Sequence, residues 1–193
     1  GNGLVVDVSK YMNKILNIDQ EAKTVTVQPG VIRDELNHVL KEYGLMFGPN
    51  TATANRATIG GMVGNNSCGS TSIAFGSTRD HIRTVTAVLS DGSTAFFEEI
   101  DTSKFKEKIQ FQNLEGEIYR TIQTLHSDRD LHQEILEKYP KQSIKRRNTG
   151  YALDALLLSV DGLPNENINV CKLLCGSEGT LAIATEITIG LVN

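Results

Sequence analysis

Polar and apolar positions alternate along Thr24-Val25-Thr26-Val27-Gln28 until Pro29-Gly30 closes the run, the period-two signature of a strand. Upstream, the β-branched run Leu4-Val5-Val6-Asp7-Val8 also reads as a strand. A short apolar pattern covers residues 12–18 and Asp19-Gln20-Glu21 supplies a polar turn, so the first segment is expected to fold as a hairpin or meander. The period then changes. Val31, Leu36, Val39 and Leu40 recur at helical spacings, with Asp34 and Glu35 in the early turns, where the macrodipole favours them, and Gly44 as the stop. An amphipathic helix is therefore predicted over residues 31–43.

Residues 45–57 are irregular, and strands return near residue 82. Ile82, Thr84, Thr86 and Val88 face one side and Val85, Ala87 and Leu89 the other, which predicts burial on both; Asp91-Gly92 then turns the chain into a second strand over 94–98. Residues 101–113 are charged and read as a solvated helix or loop. Helical spacing resumes with Ile118, Ile122 and Leu125, and again with Leu131, Ile135 and Leu136 before Pro140 stops it. Residues 152–158 read as an apolar helix, 161–164 as a loop and 182–191 as a strand.

The stretch around which the rest is arranged is residues 58–70, with four glycines and only Ile59, Met62 and Val63 to anchor it on a core. Such composition marks either a glycine-rich surface loop or a backbone that closely approaches something else. Thr58 is placed to cap a short helix whose first turn is Ile59-Gly60-Gly61, leaving that turn's amides open to an acceptor on a ligand. Residues 65–77 continue as a polar loop. Two further small-residue loops occur at 76–78 and 176–180. Backbone amides and hydroxyls dominate all three, which suits a large neutral or phosphate-bearing ligand and points to a cofactor cradle. The sequence contains no phosphate-binding P-loop, dinucleotide fingerprint after a strand, or catalytic triad motif.

Composition narrows this further. With 193 residues the chain makes one large domain or two small lobes, and its net charge of −4 gives no reason to expect a nucleic-acid partner. No run approaches the roughly 18 apolar residues of a membrane span. Three cysteines, Cys68, Cys171 and Cys175, argue for a reducing compartment over a disulfide framework. Cys171 and Cys175 lack further Cys or His at ligand spacing, so no metal is expected and buried apolar thiols are the reading. His126 and His132 read as surface histidines. The basic run Lys141, Lys145, Arg146 and Arg147 is either a solvated loop or an anion-facing one.

Four stretches together resemble the FAD-linked oxidases of the vanillyl-alcohol-oxidase (PCMH-type) flavoprotein family, especially its D-lactate, glycolate and 2-hydroxyglutarate dehydrogenase branch. They are Val27-Gln28-Pro29-Gly30-Val31; Pro49, Thr53 and Thr58-Ile59-Gly60-Gly61-Met62-Val63-Gly64-Asn65-Asn66; Phe75-Gly76-Ser77-Thr78-Arg79-Asp80-His81; and Gly176-Ser177-Glu178-Gly179-Thr180-Leu181. The resemblance implies an α+β fold with a mainly antiparallel sheet and flanking helices. It makes residues 1–57 the remainder of a first FAD-binding subdomain and residues 58–193 a second, with no cap or substrate domain.

By that resemblance Pro29, Gly30, Val31, Glu178, Gly179 and Ile183 are expected near the adenosine half of FAD. Thr53, Thr58, Gly60, Gly61 and Asn65 are expected along its centre and isoalloxazine side, and Gly69, Gly76 and Thr78 continue the wall. The family's glycine-rich pyrophosphate loop is absent before Gly1, so FAD is expected to be weakly bound or absent in this chain alone, and the catalytic residues are expected elsewhere. The implied function is oxidation of a D-2-hydroxy acid by hydride transfer to FAD, with a small hydroxy-acid substrate and an electron acceptor as partners. Two rivals are a non-catalytic binding module that keeps the flavin-domain shape and a reductase of the UDP-N-acetylenolpyruvoylglucosamine type. Residues 145–154 look like a linker in larger members, some of which add an iron–sulfur module elsewhere in the chain. The implied location is cytoplasmic, with the full-length protein able to sit at the periphery of the inner membrane.

Overall fold

The alternating run of threonines and valines forms a strand in the computed structural model, which describes residues 3–141, 143–144, 146–148, 150–156 and 167–193. Strand β1 (Ile15–Asp19) pairs antiparallel with β2 (Thr24–Val27), whose two valines are fully buried. The strand expected at Leu4-Val5-Val6-Asp7-Val8 does not form. Among the described residues no neighbouring strand offers it a ladder, and Leu4 and Val5 stand 88% and 91% exposed. A β-branched run is only half a strand until a partner satisfies its backbone.

Helix α1 (Arg33–Leu40) continues into a 3-10 turn, Lys41–Tyr43, and Gly44 ends it in the left-handed conformation at φ 68°. Leu36 and Leu40 are buried. Three short helices follow: α2 (Ile59–Gly64), α3 (Ser72–Phe75) and α4 (Thr78–His81). The expected polar loop over 65–77 thus contains a helical turn. Gly76, at φ 75°, ends that turn, and a capping box between Ser77 and Asp80 starts the next.

Strands β3 (Ile82–Val88) and β4 (Thr94–Phe97) form the hairpin around Asp91-Gly92. Burial of β3 is one-sided, contrary to expectation: Ile82, Val85 and Ala87 are buried, whereas Thr84, Thr86 and Val88 are half-buried. A register shift between Ile82 and Thr84 brings Ile82 in with Val85, leaving the threonines on the outer face. Strand β5 (Glu99–Ile100) leads into α5 (Thr102–Lys108), capped by Asp101, whose carboxylate accepts from Lys104 N at 2.8 Å. The charged stretch expected to be solvated is anchored by Phe105, which is fully buried beside Tyr119.

Helices α6 (Leu114–Ser127) and α7 (Arg129–Lys138) follow as predicted, with Asn113 and Asp128 as caps. Residues 153–155 form a 3-10 turn in place of the longer helix expected from 152; residues 157–158, the loop at 161–164, Lys145 and Thr149 lie outside the described residues. Strand β6 (Ile168–Asn169) pairs with β5, α8 (Cys171–Leu174) follows, and β7 (Ile183–Gly190) completes the order.

The main sheet runs β1-β2-β7-β3-β4 with every neighbour antiparallel. Because β7 lies between β2 and β3, strands from either side of residue 57 share one sheet. Leu36, Leu40, Phe47 and Ile59 belong to the same core as Val25, Val27, Val85, Ile187 and Ile189 of the sheet. His81 ties α4 to this layer, its ring nitrogens standing 2.9 Å from Gly190 O and 2.8 Å from Phe75 O.

Cys171 and Cys175 are fully buried, and burial pushes each thiol from an ordinary 9.0 up to about 12. Both therefore stay protonated in the fold at a pH where the unfolded chain ionises. Their contribution is complete below about pH 9 and is lost as pH rises through the window to about 12. Denaturation midpoints are expected to fall above pH 9, and native alkylation at neutral pH to label only Cys68, which is half-buried, against all three thiols in denaturant. Truncating Leu36→Ala is expected to cost about 2–5 kcal/mol by chemical denaturation, since a fully buried leucine leaves a cavity.

Candidate functional site

Glycines make up half of α2, a composition unfavourable to a helix, and tertiary contacts account for its formation. Thr58 caps it, its Oγ1 accepting from Gly61 N at 3.2 Å. The other first-turn amides are also engaged: Ile59 N donates to Val31 O and Gly60 N to Pro29 O, both at 2.8 Å. This corrects the expectation that the turn offers open amides to a ligand. The β2–α1 connection takes them instead, and Gly60 permits the approach, since a Cβ there would sit 2.5 Å from Pro29 Cβ.

The far end of α2 meets the 176–180 loop. Gly176 N donates to Val63 O at 2.9 Å and Glu178 N to Gly64 O at 2.7 Å, so the loop's amides satisfy carbonyls that a helix end leaves open. Glu178 takes a left-handed φ of 52°, and Gly179 follows at 75°. Non-glycine residues rarely adopt such a conformation, and these two hydrogen bonds hold Glu178 in it.

Between α2, this loop and the sheet lies an open groove of about 660 Å³. Pro29, Thr58, Gly60, Gly61, Glu178, Gly179 and Ile183, all singled out in the sequence, line it. Its floor was not foreseen: Val85 and Ala87 of β3 and Ala182 and Ala184 around the start of β7 supply it. Ala87 pairs directly with Ala184. Alternation along the sequence puts Ala184 on the side of Thr188, opposite the buried Ile187 and Ile189, and the register shift between Thr86 and Ala87 is what brings it beside Ala87, so no local signal marked the floor. Leu4, Val6 and Val8 of the N-terminal segment line the opposite wall.

Other sequence-selected residues lie elsewhere. Gly30 packs under the N-terminal segment, where a Cβ would come within 2.4 Å of Val8 O. Val31 is in the core, and Thr53 is exposed in a turn, its carbonyl accepting from Arg56 N and Ala57 N. Gly69 abuts Asn50 O, where a Cβ would be 1.6 Å away, and Gly76 abuts Asp80. Thr78 is fully buried and donates to Ser67 O at 2.8 Å. Asn65 lines a second cavity of about 320 Å³ with Asn66, Asn148, Tyr151, Gly176 and Thr180. Ser177 and Glu178 border both cavities, so the 176–180 loop is the partition between them.

The groove's chemistry is that of a holder. Its sides are apolar or small, its hydroxyls are those of Thr58 and Ser177, the latter donating to Leu174 O at 2.9 Å, and its carboxylate is that of Glu178. Gly64 and Gly179 present open backbone: a Cβ on Gly64 meets nothing closer than Glu178 Cα at 3.9 Å, and one on Gly179 meets nothing within 4 Å. These are cradle positions that side chains would fill. Among the described residues no Lys or Arg lines the groove.

Comparison with known proteins follows this geometry. The chain is 38% identical over 184 residues to a D-2-hydroxyglutarate dehydrogenase of Pantoea ananatis (strain AJ13355), an alignment covering 95% of the chain and 17% of that relative. It is 34% identical to the D-2-hydroxyglutarate dehydrogenase of Escherichia coli (strain K12), covering 99% of the chain and 18% of the relative. The glycolate oxidase subunit GlcD of Bacillus subtilis (strain 168) is 40% identical over 90 residues, covering 47% of the chain and 19% of the relative. The chain thus spans under a fifth of the length of these relatives. A solved alkyldihydroxyacetonephosphate synthase superposes on 94% of the chain and 21% of its own, with a TM-score of 0.53 at 20% identity, which shows a shared fold. The family model described as FAD binding domain matches residues 1–97, half of the chain, and the chain belongs to that family of α+β flavin-binding domains.

Proposed function

We propose that this chain is the FAD-holding portion of a flavin-dependent dehydrogenase that oxidises a D-2-hydroxy acid, with D-2-hydroxyglutarate as the first candidate. The observation that carries the reading is the groove itself. Residues from the Pro29 turn, the Thr58-Ile59-Gly60-Gly61 turn and the 176–180 loop converge on it. The order of candidates follows coverage: similarity to D-2-hydroxyglutarate dehydrogenases extends over 95–99% of the chain, and to glycolate and D-lactate enzymes over 47–48%.

The residues present fit the cofactor. Gly64 and Gly179 leave backbone open along the edge, and the alanine floor admits a flat apolar surface against the sheet. Thr58 Oγ1 accepts from Gly61 N, which leaves its own O–H to donate into the groove. Val85, Ala87 and Leu174 exclude water from the floor, which strengthens any polar contact made above them. Bound FAD would supply the two-electron acceptor for hydride from the substrate's α-carbon. The part of this chain is to bind, orient and desolvate; the substrate-shaping groups and the electron acceptor, including any iron–sulfur module, belong to the remainder of the full-length protein.

Weak binding by this chain alone is part of the proposal. The first-turn amides of α2 are engaged by Val31 O, Pro29 O and Thr58 Oγ1, so they give little to a pyrophosphate, and no cationic side chain faces the groove among the described residues. Titration of this chain with FAD is expected to give a Kd no tighter than about 1 μM. The decisive experiment is made on the full-length protein: bound flavin and turnover of D-2-hydroxyglutarate, D-lactate and glycolate with an artificial acceptor. Flavin-free protein after reconstitution would overturn the reading. Gly64→Leu is expected to abolish flavin binding while leaving the unfolding midpoint close to the parent, because the side chain enters the groove and leaves the core untouched.

A further inference from the structure

Arg79 makes an unusual set of contacts for a cation. Its side chain is partly buried, yet among the described residues every hydrogen bond it donates goes to a backbone carbonyl. Nε reaches Lys172 O at 3.0 Å and Cys175 O at 3.2 Å, Nη2 reaches Cys175 O at 2.6 Å and Gly150 O at 3.5 Å, and Nη1 reaches Arg147 O at 3.3 Å. Burial lowers its basicity from the ordinary arginine value, the nearby Asp154 and Asp80 opposing that shift. Of those, Asp154 is already paired with Arg147 and Asp80 with Ser77.

The carbonyls it gathers belong to two segments that flank the partition between the cavities. Cys175 immediately precedes the 176–180 loop, and Gly150 immediately precedes Tyr151, whose hydroxyl stands 2.6 Å from Thr180 Oγ1 at the loop's other end. Asn66 completes the knot: its Oδ1 accepts from Arg79 N at 2.9 Å and its Nδ2 donates to Arg147 O at 3.3 Å. Asn66 is buried with a left-handed φ of 51°, a conformation these bonds hold. Gly176 is matched to the same cation, since a Cβ there would sit 2.7 Å from Arg79 Nη2.

We propose that Arg79 is a positioning residue for the flavin: it sets both ends of the 176–180 loop, and thereby places Glu178 and Gly179 along the groove, without reaching the groove itself. The inference rests on the reading that FAD occupies the groove. Lysine keeps the charge but offers one compact ammonium where the guanidinium spans four carbonyls, so Arg79→Lys removes the geometry and keeps the cation.

The test uses the full-length protein, stripped of flavin and retitrated with FAD, comparing the parent, Arg79→Lys and Leu36→Ala. The last loses core packing on α1, away from the loop, and controls for general destabilisation. All are measured where thermal unfolding shows each to be folded. Arg79→Lys is expected to raise the Kd for FAD about tenfold, with Leu36→Ala within about twofold of the parent. A Kd for Arg79→Lys within about twofold of the parent overturns the proposal, as does an equal rise in Leu36→Ala. If Arg79→Lys does not fold, Tyr151→Phe takes its place; it removes one exposed contact to Thr180 and is expected to raise Kd about threefold, no rise overturning the proposal. Failure of the parent to bind FAD is a separate result, which rejects the flavin reading and this inference with it; parent binding with unchanged variants rejects the positioning role alone.

Discussion

Strand β7 comes last in the chain and lies in the middle of the main sheet, and the rest of the structure depends on that insertion. The hairpin of β1 and β2 and the hairpin of β3 and β4 do not pair with each other; each pairs with β7. Val25 faces Ile189, and Ile187 faces both Val27 and Val85, so fully buried side chains from three distant segments stand side by side. Closing so long a loop costs entropy before any contact repays it, and the apolar ladder is the compensation. Register follows from it, because a slip by one residue would turn every inward side chain outward. A register shift between Thr86 and Ala87 then sets Ala87 opposite Ala184 and so forms the floor of the groove.

Glycine serves two distinct purposes around that groove. At Gly60 and Gly69 it lets one segment touch another, with Pro29 and the Asn50 carbonyl occupying the space a side chain would need. At Gly64 and Gly179 it leaves space unfilled. The helix that carries Gly60 and Gly64 is poor in intrinsic propensity, and it forms because its amides and carbonyls are engaged at both ends by the β2–α1 connection and the 176–180 loop. A fold-stabilising network and a groove-facing surface thus share six residues of chain.

Polar interactions do the complementary work on the far side of the loop. A guanidinium placed among carbonyls joins irregular segments that lack ladders of their own, which is where backbone groups most need partners. Asn66 and Arg79 together connect α2, α4, the end of α8 and the segment around residue 147. Apolar pairing builds the floor of the groove and this polar junction holds the 176–180 loop at its edge.

The periodic parts of the fold were legible because their information is local. The alternation at residues 24–27, the stripe of Leu36 and Leu40, the Asp91-Gly92 turn and the helix following Asn113 each reflect backbone geometry acting within a few residues. The glycine-rich motifs likewise identified the family and half of the groove. What sequence left open was everything that needs a second segment. Leu4-Val5-Val6 has strand composition without a strand neighbour, and the charged stretch at α5 is fastened by one buried phenylalanine. The open amides expected at Gly60 are spent on Pro29, and the alanine floor exists only once β7 lies against β3. Local propensity determined the periodic elements; only tertiary structure decided whether the glycine-rich α2 and a strand at Leu4-Val5-Val6 form, which backbone donors remain free and where space is left, because all of these are properties of pairs of segments.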